Sequence, residues 1–264
     1  MESYLSYLLP SFLVTLSTMT LFWFWGKTRN NYAVIDVGWG LVILFILWTY
    51  YLVKNQFTIE WGSLILVLLI SIWGLRLSIF LFLTRILPGH SEDKRYNSFR
   101  KDYGEKVHQK FFTNVFLFQG LLALLLTAPF LVVFLTDNKD NTAISIIGII
   151  LFFIGELGET VADQQLSSFI KDPKNKGEVC KIGLWKFSRH PNYFFEWIIW
   201  LGLSIYAINF HWLGILPAVF MYILLVHVTG VPFAEKFSLL SKGDKFREYQ
   251  KTTSAFFLWF PRRK

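Results

Sequence analysis

Apolar residues fall into seven long runs along the chain, separated by shorter polar segments. The runs cover residues 4–25, 33–53, 61–84, 111–135, 141–162, 192–209 and 211–231. Each has about the 20 residues that an α-helix needs to cross the hydrocarbon core of a bilayer. The last two runs are nearly continuous, and only Asn209-Phe210-His211 predicts a turn, so they form either a tight helical hairpin or something less regular. The pattern predicts an all-α, polytopic membrane protein with about seven transmembrane helices.

The basic residues are distributed very unevenly between the two sides of this layout. If the N-terminus lies outside, 23 of the 26 Lys and Arg residues fall on the inside, Lys54 and Lys139 lie outside, and Arg76 lies within a span. Cytoplasmic loops of membrane proteins carry the excess of Lys and Arg. The distribution therefore predicts an outside N-terminus and a cytoplasmic C-terminus. No basic residue precedes the first span, so we expect a retained helix rather than a signal peptide.

The composition excludes several other classes of protein. Hydrophobic residues make up 54% of the 264 residues and charged residues 17%, well below the roughly 25% of soluble domains. Cys180 is the single cysteine, so neither an internal disulfide nor a cysteine-based metal cluster can form. The net charge of +8 is a signal of topology here, not of nucleic-acid binding. We expect a single integral membrane domain over residues 1–264, with neither metal nor nucleic acid as a partner.

Seven ionisable residues lie within the predicted spans, where they are costly and usually face a cavity or a partner. They are Asp36, Arg76, Glu156, Glu159, Asp163, Glu196 and His227. Pairing between helices, for example of Asp36 with Arg76, is the structural explanation. Glu156, Glu159 and Asp163 are spaced i, i+3 and i+7, so they share one helical face. A solvated helix end explains Asp163 alone but not three acids together.

The segment 183–196, GLWKFSRHPNYFFE, contains the strongest local signal. Pro191 is favoured at the first position of a helix, so Arg189 and His190 precede its N-terminus. Free backbone N–H groups, the helix dipole and a fixed cation form an anion site, for which phosphate is the natural ligand. Three polar residues follow within the helix: Asn192, Tyr193 and Glu196. The alternative is an interfacial anchor, because Arg, His, Trp and Tyr favour the headgroup level.

These residues also carry a resemblance. The segment SRHPNY with Glu196, followed by PFAEK at 232–236 and FREY at 246–249, resembles the C-terminal region of the steroid 5-alpha-reductase family. More narrowly, the chain is similar to a bacterial membrane branch of that superfamily. Four further pieces carry the narrower resemblance: Asn31-Tyr32 with residues 36–40, residues 73–77, residues 92–96, and residues 159–165.

The resemblance implies a membrane enzyme that binds NADPH from the cytosolic side and reduces a conjugated carbon–carbon double bond. The substrate would be a lipid or sterol-like molecule, and the location the bacterial inner membrane. The predicted cofactor-binding residues lie in the half from about residue 141 to 264: Glu159, Asp163, Lys171, Arg189, His190, Asn192, Tyr193, Glu196, Glu235 and Tyr249. Lys171, Lys174 or Lys176 would meet the 2′-phosphate. Neither GxGxxG nor GxxxxGK[ST] occurs, so the nucleotide would bind between membrane helices and cytosolic loops.

Two positions depart from the family pattern. Phe195 stands where the family usually has Gly before the acid, a place where a missing side chain permits close backbone approach. Trp73 falls where the steroid reductases have a substrate-binding Tyr, so a steroid is not predicted as the substrate. Asp36 is the candidate proton donor, kept protonated by desolvation, although Arg76 can instead hold it ionised. These two residues form the predicted catalytic set.

Two other functions share parts of this pattern. One is an S-adenosylmethionine-dependent membrane methyltransferase of the isoprenylcysteine or phospholipid type, a class that shares Arg-His-Pro-x-Tyr and a later Glu but needs no 2′-phosphate site. The other is a non-enzymatic lipid-binding membrane protein, in which the motif only anchors the helix end. A basic cluster in contact with the cofactor would favour the reductase.

Overall fold

The computed structural model describes residues 4–55, 58–87, 92–136 and 142–262, apart from the side chain of Lys94. Within these ranges the regular structure is helical, and an isolated bridge between Ser188 and Ser254 is the one element of β geometry. Six helical segments are long and apolar enough to cross a membrane, judged by length and composition: Tyr4–Arg29, Val34–Asn55, Trp61–Ile86, Arg95–Leu135, Thr142–Lys171 and Trp212–Lys242. The chain is an all-α polytopic membrane protein, as the hydrophobic pattern predicts.

One predicted span differs from this set. The run 192–209 forms the helix Pro191–Ile208, which is not among the six. Its first two turns carry Asn192 and Glu196, and these polar residues lower its mean hydropathy. The predicted turn at 209–211 is confirmed, because the helix ends before it and the 3₁₀ turn Trp212–Ile215 follows. The orientation of the spans in the bilayer stays a prediction.

Close contacts divide the chain into two compact units, residues 1–138 and 139–264. The second unit begins beside the predicted start of the cofactor-binding half. The first unit contains α1 (Tyr4–Arg29), α2 (Val34–Asn55), α3 (Trp61–Leu81), α4 (Lys94–Tyr103), α5 (Val107–Phe111), α6 (Phe118–Thr127) and α7 (Leu131–Leu135). Short π-helical turns extend α3 through Phe82–Ile86 and join α5 to α6 through Phe112–Leu117.

Helix α2 is the centre of the first unit, where it contacts α1, α3, α6 and α7. Gly40 of α2 meets Gly74 of α3 so closely that a Cβ on either would lie 2.8 Å from the other's carbonyl oxygen. Ser78 Oγ donates to the carbonyl oxygen of Val37 at 2.9 Å. These contacts fix an antiparallel register, and small residues allow such close approach between membrane helices.

The second unit contains α8 (Thr142–Lys171), α9 (Pro191–Ile208), α10 (Leu216–Ile223), α11 (Val231–Lys242) and α12 (Asp244–Thr252). Helices α8 and α9 form a close antiparallel pair. A Cβ at Gly148 would lie 2.7 Å from the carbonyl oxygen of Gly202, and one at Gly155 would lie 2.6 Å from the backbone nitrogen of Ile199. The backbones are therefore in direct contact, which sets polar side chains of the two helices side by side.

Candidate functional site

Four carboxylates are buried on the α8–α9 pair. Glu156, Glu159 and Asp163 lie on one face of α8, as their spacing predicts, and Glu196 lies on α9. All four are less than a tenth exposed. Within the part of the chain that the structure describes, no group of three or more His, Cys, Asp or Glu side chains has the arrangement of a metal site. Asp163 and Glu196 accept hydrogen bonds, and ionisable groups within membrane helices usually mark a functional site.

Asn192 connects the two helices at the level of Asp163. Its Nδ2 donates to Asp163 Oδ1 at 3.3 Å. Its Oδ1 is buried and has no hydrogen-bond partner among the described residues. A buried acceptor without a donor is costly, so an N–H or O–H group of a ligand would be accommodated here. One turn deeper, Glu196 Oε1 accepts a hydrogen bond from Trp200 Nε1 at 3.0 Å.

The guanidinium of Arg189 is held by protein groups on almost every side. Its Nε and Nη2 lie 2.7 and 2.6 Å from Glu235 Oε1. Its Nη1 donates to the carbonyl oxygens of Gln250 at 3.2 Å and Thr253 at 2.5 Å. Arg189 is only 10% exposed and Glu235 16%. Arginine has five N–H groups, and these contacts engage most of them. The arrangement is a largely buried ion pair, and the cofactor-binding role of Arg189 stays a prediction.

His190 and Tyr193 lie beside the same carboxylate. His190 Nε2 is 3.3 Å from Glu235 Oε1, and the imidazole stacks on the Tyr193 ring with centroids 5.4 Å apart. Burial lowers the pKa of His190 below its ordinary value, although the hydrogen bond and the charge of Glu235 oppose this shift. The imidazole is therefore neutral at pH 7. A neutral ring can donate from Nε2 to Glu235 and leave Nδ1 as an acceptor.

Helix α12 completes the network around Glu235. Gln250 Nε2 donates to Glu235 Oε2 at 2.6 Å. The Tyr249 hydroxyl contacts the carbonyl oxygens of Trp185 and Ser188, the latter at 3.0 Å. Burial raises the pKa of Tyr249, so the phenol stays protonated and donates. Tyr249 thus fixes the segment before α9, and Gln250 is a member of the network that the sequence analysis did not identify.

Most of the predicted cofactor-binding residues lie in two groups that the start of α9 connects. One group surrounds Glu235, and the other follows the α8–α9 pair. Lys171 lies apart from both. It is exposed at the end of α8, and the loop that follows carries the exposed Lys174 and Lys176. These amines are open to an anionic ligand, whereas the guanidinium of Arg189 is engaged.

Phe195, the departure from the family pattern, packs on a glycine of α8. A Cβ at Gly158 would lie 2.2 Å from the Phe195 ring. The ring therefore occupies the space that a side chain at position 158 would need. The bulk of Phe195 is accommodated in the helix interface by the absence of a side chain on α8.

In the first unit, Asp36 is the centre of an ion-pair network. Its Oδ2 accepts from Arg85 Nη1 at 2.5 Å and from Arg95 Nη2 at 2.9 Å, and its Oδ1 accepts from the Tyr96 hydroxyl at 2.6 Å. Arg95 Nε also donates to Asp93 at 3.0 Å. Burial alone would raise the pKa of Asp93, but the hydrogen bonds and charge of Arg95 outweigh it and hold the pKa below its ordinary value. Both oxygens of Asp36 are thus engaged by fixed donors, as in a structural ion-pair centre.

The suggested pair of Asp36 with Arg76 is not formed, since the described contacts of Asp36 do not include Arg76. Arg85 and Arg95 both donate to Oδ2 of Asp36, and the Tyr96 hydroxyl donates to Oδ1, so other donors engage both of its oxygens. The catalytic roles of Asp36 and Arg76 stay predictions.

A second network of the first unit was not identified from the sequence. Glu92 accepts from the backbone nitrogen of Tyr32 at 2.6 Å and from Arg100 Nε at 2.5 Å. The Tyr32 hydroxyl and His108 Nδ1 lie 2.5 Å apart. The Tyr32 ring is stacked on Phe111 at 4.0 Å, and the Arg100 guanidinium lies 4.9 Å from its centre. Tyr32 and Glu92 both lie in pieces of the sequence that carry the family resemblance. That resemblance was the sequence feature that could have pointed to this network.

The helices and their buried polar networks define an all-α, multi-pass integral membrane protein. The chain belongs to the family described as "Protein of unknown function (DUF1295)", whose model matches residues 22–253. No curated protein and no solved structure matches the chain. The family match includes the residues named in the networks around Glu235, Asp36 and Glu92.

Proposed function

We propose that this protein is an NADPH-dependent membrane reductase of a conjugated carbon–carbon double bond in a lipid, similar to the steroid 5-alpha-reductases. The observation that carries the proposal is the buried group of acceptors on the α8–α9 pair, with Asn192 Oδ1 open to a donor. Buried acids within membrane helices are costly and accompany function by default. Nicotinamide and ribose present the N–H and O–H donors that such acceptors bind.

The residues present fit one part of this cofactor well. Asn192, Asp163 and Glu196 would hold the amide and ribose groups, and the exposed lysines 171, 174 and 176 would meet the phosphates. Arg189 would act indirectly, by holding the segment before α9 against Glu235. NADPH supplies the hydride equivalent for reduction, and the protein supplies orientation and exclusion of water.

The location of the site among membrane helices indicates the substrate class. A molecule that reaches a site within membrane helices is apolar, so we propose a lipid or sterol-like substrate without naming it. Trp73 is fully buried in the first unit, where the steroid reductases have a substrate-binding Tyr, so a steroid itself is not proposed. We place the protein in the bacterial inner membrane on the resemblance alone.

A specific observation favours a second candidate, the S-adenosylmethionine-dependent methyltransferase. The guanidinium of Arg189 is engaged by Glu235, so it is not open to a cofactor phosphate. A cofactor without phosphates does not need such a cation. The two candidates therefore differ in whether the lysines after α8 contact the cofactor.

The experiment is a side-by-side titration of the detergent-solubilised protein with NADPH, NADH and S-adenosylmethionine. We expect NADPH to bind most tightly. Replacing lysines 171, 174 and 176 with Gln should weaken NADPH binding about tenfold or more and leave NADH nearly unchanged, because charge-assisted contacts to the 2′-phosphate are lost. Lys101→Gln, an exposed change on α4, is the matched control. Saturable binding of S-adenosylmethionine alone would establish the methyltransferase instead, and no binding of any of the three would leave a lipid-binding protein.

Glu196→Gln tests the deep end of the same site. Gln retains an oxygen that can accept from Trp200 Nε1, so the variant should fold and melt near the wild type. It loses the charge, so NADPH affinity and reduction should both change. Unchanged NADPH binding together with a higher melting temperature would make Glu196 a tolerated buried acid and remove the deepest contact from the proposal.

A further inference from the structure

The chain does not stop at α12 but continues as an extended segment, residues 253–262, here called the tail segment. It is tied by backbone hydrogen bonds to the residues before α9. Arg189 N donates to the carbonyl oxygen of Ser254 at 2.8 Å, and Trp259 N donates to that of Phe187 at 3.0 Å. Ser188 Oγ donates to the carbonyl oxygen of Phe256 at 2.8 Å. The tail segment is thus held by hydrogen bonds across the N-terminus of α9.

Two aromatic side chains near the end of the tail segment are exposed. Trp259 is 71% exposed and Phe260 is 77% exposed. The Phe260 ring makes an edge contact with Phe187 at 5.9 Å, which leaves most of its surface open. Two adjacent large aromatic side chains are a costly surface to leave in water.

Basic residues follow these aromatics after Pro261. Arg262 is exposed, and the sequence continues with Arg263 and Lys264. Trp is enriched at the interface between membrane and water, and clusters of Lys and Arg next to a membrane bind anionic headgroups. Phe187, the partner of Trp259, precedes α9 by four residues, so it lies within about 14 Å of the beginning of α9, a helix packed along the candidate span Thr142–Lys171.

We propose that the tail segment is an interfacial anchor for the bilayer that surrounds the protein. Trp259 and Phe260 insert among the lipid headgroups, and Arg262 binds anionic lipid. The anchor holds the tail segment against Phe187, Ser188 and Arg189, and so maintains the conformation of the residues before α9. This inference does not depend on which reaction the protein performs.

The test places a single label on the tail segment of the full chain in nanodiscs. Cys180 is the one native cysteine and is buried, so Cys180→Ser provides the background for Trp259→Cys, labelled with a bimane fluorophore. The control is the same label at Lys174→Cys, an exposed position in the loop after α8. The nanodiscs contain phosphatidylcholine with about 30% phosphatidylglycerol, with or without lipid carrying a doxyl quencher near the headgroup.

We expect doxyl lipid to quench the label at 259 at least about threefold more than the label at 174, and aqueous iodide to do the reverse. Arg262→Gln should reduce quenching at 259, and removing phosphatidylglycerol should have the same effect. Equal iodide access at the two positions would overturn the proposal, as would protection at 259 that depends on protein concentration, since a second copy would then cover it. If Trp259→Cys fails to fold, Phe260→Cys provides the same measurement.

Discussion

The ion pair of Arg189 with Glu235 gives a prediction for a single side chain. Arg189→Ala should lower the free energy of unfolding by about 3 kcal/mol, because it leaves Glu235 buried without its cation. Thermal unfolding in detergent without cofactor measures this. Arg262→Ala, an exposed change whose described hydrogen bond is made by the backbone, should melt like the wild type. If Arg189→Ala retains wild-type stability and only NADPH binding is weakened, Arg189 is a cofactor contact after all.

Acidification should act through His190. Burial lowers its pKa in the folded protein, so the unfolded chain, with a pKa near 6.5, takes up the proton first. Stability is therefore complete above about pH 6.5 and falls as the pH drops below that value. The melting temperature of the wild type should decrease more between pH 7.5 and 5.5 than that of His190→Gln. An equal decrease in both proteins would assign the acid sensitivity to other groups.

The residue scale also shows where inference from the sequence stops. The face shared by Glu156, Glu159 and Asp163 follows from helical spacing alone, and the structure buries all three. The partner of Arg189 does not follow, because Glu235 is 46 positions away and only the packing of α11 and α12 brings it near. The same holds for Asp36, whose partners Arg85 and Arg95 are 49 and 59 positions away.

At the scale of helices, Phe195 and Gly158 form a complementary pair. Gly158→Ala should destabilise the protein by about 1–3 kcal/mol through overpacking against the Phe195 ring. Adding Phe195→Ala should recover part of that loss, because the clash is with a side chain. Gly155→Ala is the matched control, since its Cβ would meet the backbone of Ile199 and Phe195→Ala should not rescue it. Equal rescue of both would show that α8 and α9 separate as whole helices.

Hydrophobic run length predicted most helices well because a bilayer requires a minimum span. It did not predict the breaks within them. The predicted span 111–135 is divided into short α-helical pieces by the π turn Phe112–Leu117 and the 3₁₀ turn Ala128–Phe130. Such breaks depend on which backbone groups tertiary packing can satisfy, and hydropathy does not contain that information. Only Pro129 gave a local sign of one.

At the scale of the whole molecule, the distribution of basic residues gives the remaining prediction. A reporter fused after Lys264 should be active in the cytoplasm, because 23 of the 26 Lys and Arg residues then fall inside. Paired alkaline phosphatase and green fluorescent protein fusions at that position measure the side directly. Phosphatase activity there would mean that the helix Pro191–Ile208 or another run does not cross the membrane as assigned.

The tail segment also bears on where a shortened form of the protein can end. Beyond residue 253 the chain contacts Phe187, Ser188 and Arg189 through main-chain hydrogen-bonding groups, and the Phe260 ring also contacts Phe187. The family match ends at residue 253, at the beginning of this stretch. A shortened protein designed from that boundary would remove the carbonyl groups of Ser254 and Phe256, and with them part of the framework that holds Arg189.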